Sequence, residues 1–310
     1  MPRKQQEPPL PSPRLPVSSR TPIAIQLHRL RATDVFDACR HAPDRLHLLH
    51  VAGRGVQIDL PGDWTCAWLA LAGEFEMRSL HCEWPLHRSE AMLWNDGALC
   101  AFTRTPSLGL CLAAPAATWN QAMQPGRRMH GGTLPWHEPC PADLKRAFVR
   151  SARLARAGGM MLPATPVALC VALDEFMAPA RELLEKCSGR TMKHHQQTLQ
   201  RLLRVRHVIR HGAELRPDLA SLARMANYSP YHLIRVYRSV FGETPFEYAA
   251  RLREERAWRM VNDTILPICE ITEMLGFESQ SAFCRAFKNA FGTTASEVRR
   301  SAGELNARAA

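Results

Sequence analysis

The stretch ITEMLGFESQSAFCRAFKNAFG (residues 271–292) repeats the pattern of LARMANYSPYHLIRVYRSVFG (residues 222–242) in the same chain. Leu222 matches Ile271, 49 residues later, and after one inserted residue Phe241 matches Phe291, 50 residues later. Apolar positions recur at helical spacing in both copies, and the turn residues also match. Such a repeat indicates two copies of one supersecondary unit. They are called here the first unit (residues 218–242) and the second unit (residues 267–292).

Each unit predicts two short helices joined by a tight turn. In the first unit, Asp218 is suited to cap a helix over 219–225, and Ser229 is suited to cap the helix that follows. Asn227 in the turn tolerates left-handed backbone, and the second unit has Gly276 there. Two helices joined in this way form a helix-turn-helix.

The second helix of each unit carries polar and cationic side chains away from its apolar stripe. Arginine can bond guanine through two hydrogen bonds, glutamine can do the same for adenine, and cationic side chains neutralise phosphates. We therefore predict that Arg235 and Arg285, at equivalent positions, contact bases and that Arg238 and Lys288 contact the DNA backbone. Ile234 meets either a thymine methyl group or the edge of the core. The other predicted DNA contacts are Tyr231, His232, Gln280, Ser281 and Cys284.

A third helix is predicted between the units, over residues 246–262, with Pro245 at its start. At ~1.5 Å per residue it spans roughly 25 Å. Successive major-groove faces of DNA lie ~34 Å apart, so two recognition helices held by this helix suit one side of a duplex.

Residues 213–300 resemble the AraC/XylS family of bacterial transcription regulators. The chain departs from the family pattern at Thr294-Ala295, where Thr-Pro is usual, at Val298-Arg299, where Tyr-Arg is usual, and at Glu254, where an apolar residue is usual. The matching positions are Gly276-Phe277, Ser279, Ser281, Phe283, Arg285, Phe287-Lys288 and Phe291-Gly292 in the second unit, and Tyr228-Ser-Pro230, Leu233, Arg235 and Gly242-Glu-Thr-Pro245 in the first.

The resemblance implies sequence-specific binding to double-stranded promoter DNA and control of transcription, usually activation through contact with RNA polymerase. It also implies an N-terminal domain, often a cupin-like β-barrel, that binds a small-molecule effector or forms a homodimer.

The N-terminal part has its own pattern. From about residue 21 to 135, short strand-like segments such as Val56–Leu60 and Leu108–Leu112 alternate with Gly and Pro, which predicts an antiparallel barrel or sandwich. Helices are predicted over 143–156, 166–185 and 192–211. The fold class is α+β, with four regions: a disordered tail (1–20), a β-rich effector-binding or dimerisation domain (21–140), a helical linker (141–211) and an all-α tandem helix-turn-helix domain (212–302).

Charge and cysteine usage limit the possible partners. The formal net charge is +11, which favours an anionic partner such as nucleic acid. The ten cysteines are scattered without a CxxC pair, as in a protein with reduced thiols. No run of 18 apolar residues or secretory signal is present, so we expect a cytoplasmic protein without a membrane partner.

The sequence predicts no catalytic residue, metal site or cofactor, and no enzyme. The best metal candidate, His81 to His87 with Cys82, matches no common ligand spacing, and His47 and His50 are interpreted as structural. Two alternatives stay open: a cupin-type metal- or ligand-binding enzyme with a vestigial DNA module, and a non-specific nucleic-acid binder. A set of aromatic residues lines either an apolar ligand pocket or the core: Trp64, Trp68, Phe75, Trp84, Trp94, Phe102 and Trp119.

Overall fold

The computed structural model describes residues 22–80, 83–123, 133–211 and 218–301. The predicted tail, Gly212 and the pair His81-Cys82 lie outside the described residues. The strands, in chain order, are β1 (Ile25–Leu30), β2 (Val35–Asp37), β3 (Leu46–Gly53), β4 (Gln57–Leu60), β5 (Trp64–Ala72), β6 (Glu74–Arg78), β7 (Glu83–His87), β8 (Glu90–Trp94), β9 (Leu99–Phe102), β10 (Ser107–Pro115), β11 (Trp136–Pro139) and β12 (Met161–Leu162).

The strands form two sheets. The larger has the order β11-β8-β5-β10-β3-β1-β12, and the smaller has the order β2-β4-β9-β6-β7. From β1 to β6 the chain changes sheet at every strand. This alternation brings β1 beside β3, and β2 beside β4, as parallel pairs.

The predicted cupin-like, fully antiparallel barrel is therefore not confirmed. Among the described residues no strand pairing joins the two sheets, and β1–β3 and β2–β4 are parallel. Period-2 alternation reports that a strand has a buried face, but it does not report which strand lies alongside. The coarser prediction of a β-rich N-terminal region is confirmed.

The aromatic set belongs mainly to the core of this sandwich. Trp68 and Phe75 are fully buried, with ring centroids 5.5 Å apart between the sheets. Trp119 is buried on the other face of the larger sheet, against the helices. Of the seven residues, only Phe102 is not buried. Core packing thus accounts for these side chains better than a ligand pocket does.

The helices agree with the sequence prediction except at two places. A short helix at Ala116–Ala122 lies inside the region predicted to contain strands. The predicted helix over 166–185 is two helices, α3 and α4, because the chain turns at Met177. The region predicted as a helical linker also contains β12, which returns to pair with β1. The helices are α1 (Ala116–Ala122), α2 (Ala142–Ala157), α3 (Val167–Phe176), α4 (Ala178–Glu185), α5 (Met192–His211), α6 (Leu219–Met225), α7 (Pro230–Phe241), α8 (Pro245–Asp263), α9 (Ile268–Met274) and α10 (Gln280–Phe291).

Helix α5 connects the N-terminal sandwich with the first unit. On one side, Arg204 donates to the buried carboxylate of Asp96, with Nε 2.6 Å from Oδ2. On the other side, the guanidinium of Arg206 lies 4.7 Å from the ring centroids of both Phe241 and Tyr248. The first unit consequently shares one continuous apolar core with α5 and the larger sheet. The second unit has a separate core.

Removing the hydroxyl oxygen of Tyr237 is expected to increase the stability of the protein measurably. The side chain is fully buried in the first unit, and among the described residues its hydroxyl has no hydrogen-bond partner. Burial raises the pKa of this phenol well above its usual value. A buried, unpaired polar group costs about 1–3 kcal/mol. Tyr237→Phe, which copies Phe287 of the second unit, is expected to stabilise the protein by about 1–2 kcal/mol. Urea unfolding checks this, with Tyr231→Phe as the exposed control; a loss of stability would contradict it.

Candidate nucleic-acid interface

Local hydrogen bonds fix the geometry of the first unit. The Asp218 carboxylate accepts from the Ser221 hydroxyl (2.6 Å) and from the backbone N–H groups of Ser221 (2.9 Å) and Ala220 (3.1 Å), and these three hydrogen bonds lower its pKa. Asn227 has φ 55°, and Gly242 ends α7 with φ 80°. The predicted caps and left-handed turn are thereby confirmed.

The second unit repeats this construction. Gly276 takes the left-handed turn with φ 66°, and Gly292 ends α10 with φ 71°. The hydroxyl of Ser279 caps α10 by accepting from the Ala282 N–H at 3.1 Å, as the hydroxyl of Ser229 does for α7. Two helix-turn-helix units of the same design are therefore present.

Helix α8 joins the two units and begins with a capping box. Thr244 accepts from the Glu247 N–H at 3.2 Å, and the Glu247 carboxylate accepts from the Thr244 N–H at 2.6 Å. The same box recurs after α10 between Thr294 and Glu297, where these bonds lower the pKa of Glu297 to about 2. Since the box forms with Ala295 after Thr294, the missing proline does not prevent the turn. The 19 residues of α8 give a length of roughly 28 Å.

The predicted DNA-contacting side chains lie on the outer faces of α7 and α10. In α10, all five of them are exposed, while Phe283 and Phe287 are buried. In α7, Tyr231 (77% exposed) and the two arginines are exposed. His232 and Ile234 are half-buried. These placements are compatible with the predicted contacts, which stay predictions.

One contact holds a predicted base reader in place. A terminal guanidinium nitrogen of Arg235 lies 3.3 Å from Nδ1 of His232, and the His232 ring packs edge-on against Tyr228, with centroids 4.8 Å apart. The arrangement steers Arg235 along the outer face of α7. In the second unit Ala282 takes the place of His232, so Arg285 lacks this neighbour.

Two groups of histidines in the structure were not predicted from the sequence. The first, called here the junction cluster, consists of His137, His207 and His211, with His207 and His211 ring centroids 4.6 Å apart and those of His137 and His211 5.2 Å apart. It lies where β11 meets α5. The second group, His28, His41 and His47, lies at one end of the sandwich. His207 and His211 lie four residues apart on α5, a spacing that the sequence shows. His137 and the three members of the second group come from separate elements, so no motif reveals them together.

Within the described ranges, no helix combines the length and the apolar character that crossing a bilayer requires. The nine cysteines in those ranges are all free.

Comparison with known proteins supports the identification of the C-terminal domain. Residues 222–301 match the family model described as "Helix-turn-helix domain". The RCS-specific HTH-type transcriptional activator RclR of Escherichia coli (strain K12) is 35% identical over 85 residues, 27% of this chain and 30% of RclR. The probable transcription factor PqrA of Proteus vulgaris is 34% identical over 79 residues, 26% of this chain and 65% of PqrA.

Among solved structures, the C-terminal domain of AraT, a response regulator from Geobacillus stearothermophilus, is 32% identical. The match covers 33% of this chain and 84% of that domain, with a TM-score of 0.30. The chain spans less than two thirds of the length of RclR or PqrA.

The C-terminal part of the chain is thus a tandem helix-turn-helix domain of the DNA-binding class. The matched relatives RclR and PqrA are named as an HTH-type transcriptional activator and a probable transcription factor. The relatives are named as transcription regulators and not as enzymes, and nothing among them supports the alternative of a cupin-type enzyme.

Proposed function

We propose that this protein is a cytoplasmic transcription regulator that recognises promoter DNA by placing α7 and α10 in successive major grooves. The observation that carries the proposal is the equivalent exposure of Arg235 and Arg285, and of Arg238 and Lys288, on helices that share the same caps and turns. Helix α8 supplies a fixed connection between them.

The proposed division of work follows from the chemistry of these side chains. Arginine forms two parallel hydrogen bonds with guanine, so Arg235 and Arg285 are assigned to base edges. Arg238 and Lys288 lie one turn further along the same helices, where a cation reaches phosphate. Tyr231, His232, Ile234, Gln280, Ser281 and Cys284 complete the proposed interface.

Replacing Arg285 with alanine tests the base contact. The expected loss is about 1–3 kcal/mol of binding free energy at the preferred site, together with relaxed preference at one base pair. Genomic fragments are selected on the full-length protein, footprinted, and compared with the variant. Two protected segments about one turn apart are expected for wild type, with one lost selectively in Arg285→Ala and the other in Arg235→Ala. Unchanged affinity and preference would contradict the assignment.

Replacing Lys288 with alanine is the matched test of a phosphate contact. Affinity is expected to fall by a similar factor for every DNA sequence, and the slope of log K against log salt to decrease by about 1. A change in base preference would instead assign Lys288 to a base. Equal wild-type affinity for all sequences would favour the alternative of non-specific nucleic-acid binding.

The N-terminal domain is proposed to supply regulation. Activation through RNA polymerase, a small-molecule effector and a homodimer are the expectations carried by the AraC-type domain, and RclR is itself named an activator. Support for coupling comes from α5, which contacts both the sandwich and the first unit. Light scattering of the full chain tests the dimer, and transcription from a selected promoter tests activation.

A further inference from the structure

Three histidines converge inside the sandwich at one end of the larger sheet. His28 lies in β1, His47 lies in the adjacent parallel strand β3, and His41 follows the short 3-10 helix Ala38–Arg40. Nε2 of His28 is 2.9 Å from Nδ1 of His47. Ligand nitrogens of all three rings lie within 4.8 Å of one another.

The fold places two of these rings on one face. β1 and β3 pair in parallel with Gln26 opposite His47, so His28 and His47 are diagonal neighbours two positions apart. Both point toward the space between the sheets, as their strand neighbours Leu30 and Leu49 do, which are buried there.

Aromatic side chains hold the rings. Phe36 stacks on His41 with centroids 4.3 Å apart and planes within 4°, and Trp64 stacks on His47 at 5.6 Å. Such packing limits the orientations that the rings of His41 and His47 adopt before a ligand arrives.

The hydrogen bond on the far side of His47 selects its tautomer. Nε2 lies 2.8 Å from the carbonyl oxygen of Ala42, which can only accept, so Nε2 carries the proton. The lone pair is therefore on Nδ1, which faces His28. An imidazole that donates its outer N–H to a backbone carbonyl is the usual arrangement of a metal-bound histidine. Burial lowers the pKa of His28 to about 4 and lowers those of His41 and His47, so all three rings are neutral at pH 7.

We propose that His28, His41 and His47 form a binding site for a divalent transition metal that prefers imidazole ligands, with Zn²⁺ as the representative ion. Nitrogen ligands about 2.0–2.1 Å from a tetrahedral zinc lie about 3.3 Å apart, close to the His28–His47 separation. His41 sits on a turn and is only half-buried, so its ring closes the remaining distance by rotation.

Among the residues that the structure describes, three imidazoles converge here, and a tetrahedral ion bound by them keeps one coordination position open. The carboxylates whose charges act on the cluster are those of Asp37 and Asp44. Asp37 caps the Cys39 N–H at 3.0 Å and pairs with Arg40, and Asp44 pairs with Arg45. Three protein ligands and a free fourth position suit a metal that also holds water or a small ligand.

Metal titration of the full-length protein tests the proposal. After treatment with a chelator and dialysis, Zn²⁺ is titrated by calorimetry, and Co²⁺ is used as a spectroscopic probe of tetrahedral nitrogen ligation. One ion per chain is expected for wild type. His41→Ala and His28→Gln are each expected to weaken binding at least ~10-fold, as loss of even an outer-shell partner does.

His50→Ala is the matched control. It lies on β3 but faces the helix side, near Arg29 and Arg156, and is expected to bind Zn²⁺ as wild type does. Circular dichroism establishes whether each variant is folded. If His28→Gln is not folded, the Zn²⁺ affinity of His41→Ala alone decides between the outcomes. Wild type without Zn²⁺ affinity, or a His41→Ala protein that binds as wild type does, would overturn the site. The result does not depend on the proposed DNA-binding function, because no DNA is present.

Discussion

Replacing Phe283 with alanine is expected to unfold the second unit while the first unit stays folded. Phe283 is 1% exposed and contacts Phe277 and Phe287, with ring centroids 5.4 and 5.7 Å away. Truncating a buried phenylalanine to alanine costs about 3–5 kcal/mol. The core that receives this loss is small: its eight buried residues are Ala257, Val261, Ile271, Leu275, Phe283, Phe287, Ala295 and Val298.

The first unit is expected to stay folded because its core is continuous with that of α5 and the larger sheet. Leu233, the counterpart of Phe283, is buried in the continuous cluster that also contains α5 and the larger sheet. Unfolding of the second unit therefore leaves the contacts of the first unit with α5 and the larger sheet intact. The two cores meet along helix α8, since Tyr248 near its start belongs to the large apolar core and Ala257 further along belongs to the small one.

Hydrogen exchange followed by mass spectrometry measures this difference. In Phe283→Ala, amides of α9 and α10 are expected to lose protection, while those of α6 and α7 keep it. Footprinting should show one protected DNA segment where wild type shows two. Phe246→Ala, at a half-exposed position in α8, is the control and should change stability by no more than about 0.5 kcal/mol. Simultaneous loss of protection in both units would show that they unfold as one.

The helix-turn-helix units could be predicted from sequence because local residues determine them. Caps at Asp218, Ser229 and Ser279 act within three residues, and the turns need left-handed backbone that Asn227 and Gly276 supply. The helical period then places Leu233 and Phe283 inward without reference to the rest of the chain. The remaining side chains of these helices must then face outward. Which of them contact DNA depends on the DNA itself, about which the apolar pattern carries no information.

The sandwich and the two histidine groups could not be predicted in the same way. Pairing of β1 with β3 joins residues about 20 positions apart, and the strand between them belongs to the other sheet. The alternation of apolar and polar residues predicted where strands occur, but not which strands pair with each other. His28 and His47 come together only through this pairing, and His137 meets His211 only because α5 packs against β11.

Acidification from pH 7 to pH 5 is expected to destabilise the protein by about 4 kcal/mol through His207 and His211 alone. Burial lowers the pKa of His207 to about 3, with further lowering by His137 and Arg210. Burial lowers the pKa of His211 still more, with added repulsion from His207, His137 and the nearby arginines. In the unfolded chain both rings titrate near pH 6.5.

The sign follows from proton uptake. Below about pH 6.5 the unfolded chain binds protons at both rings and the folded chain does not, so stability falls as pH falls. Between pH 7 and pH 5 each ring contributes about 2 kcal/mol. The charged groups that act on His211 are cationic, Arg210 and Arg256. The carboxylate in contact with the cluster is that of Glu90, whose Oε2 lies 3.1 Å from Nε2 of His137, and Glu138 is paired with Arg210 at 3.6 Å. Burial and every charge that acts on His207 and His211 lower their pKa, so the charged forms of these two imidazoles are disfavoured.

Urea unfolding as a function of pH, with a chelator present, measures the effect. His207→Gln and His211→Gln should each remove about half of the loss between pH 7 and pH 5, whereas His194→Gln, at an exposed position of the same helix, should remove none. Equal pH profiles for wild type and the double variant would contradict the assignment. Because the junction cluster lies where α5 meets β11, charging it opposes the contact between α5 and the sandwich. Protection of α5 amides should consequently fall at pH 5 before that of the strands, and a uniform fall would place the acid sensitivity elsewhere.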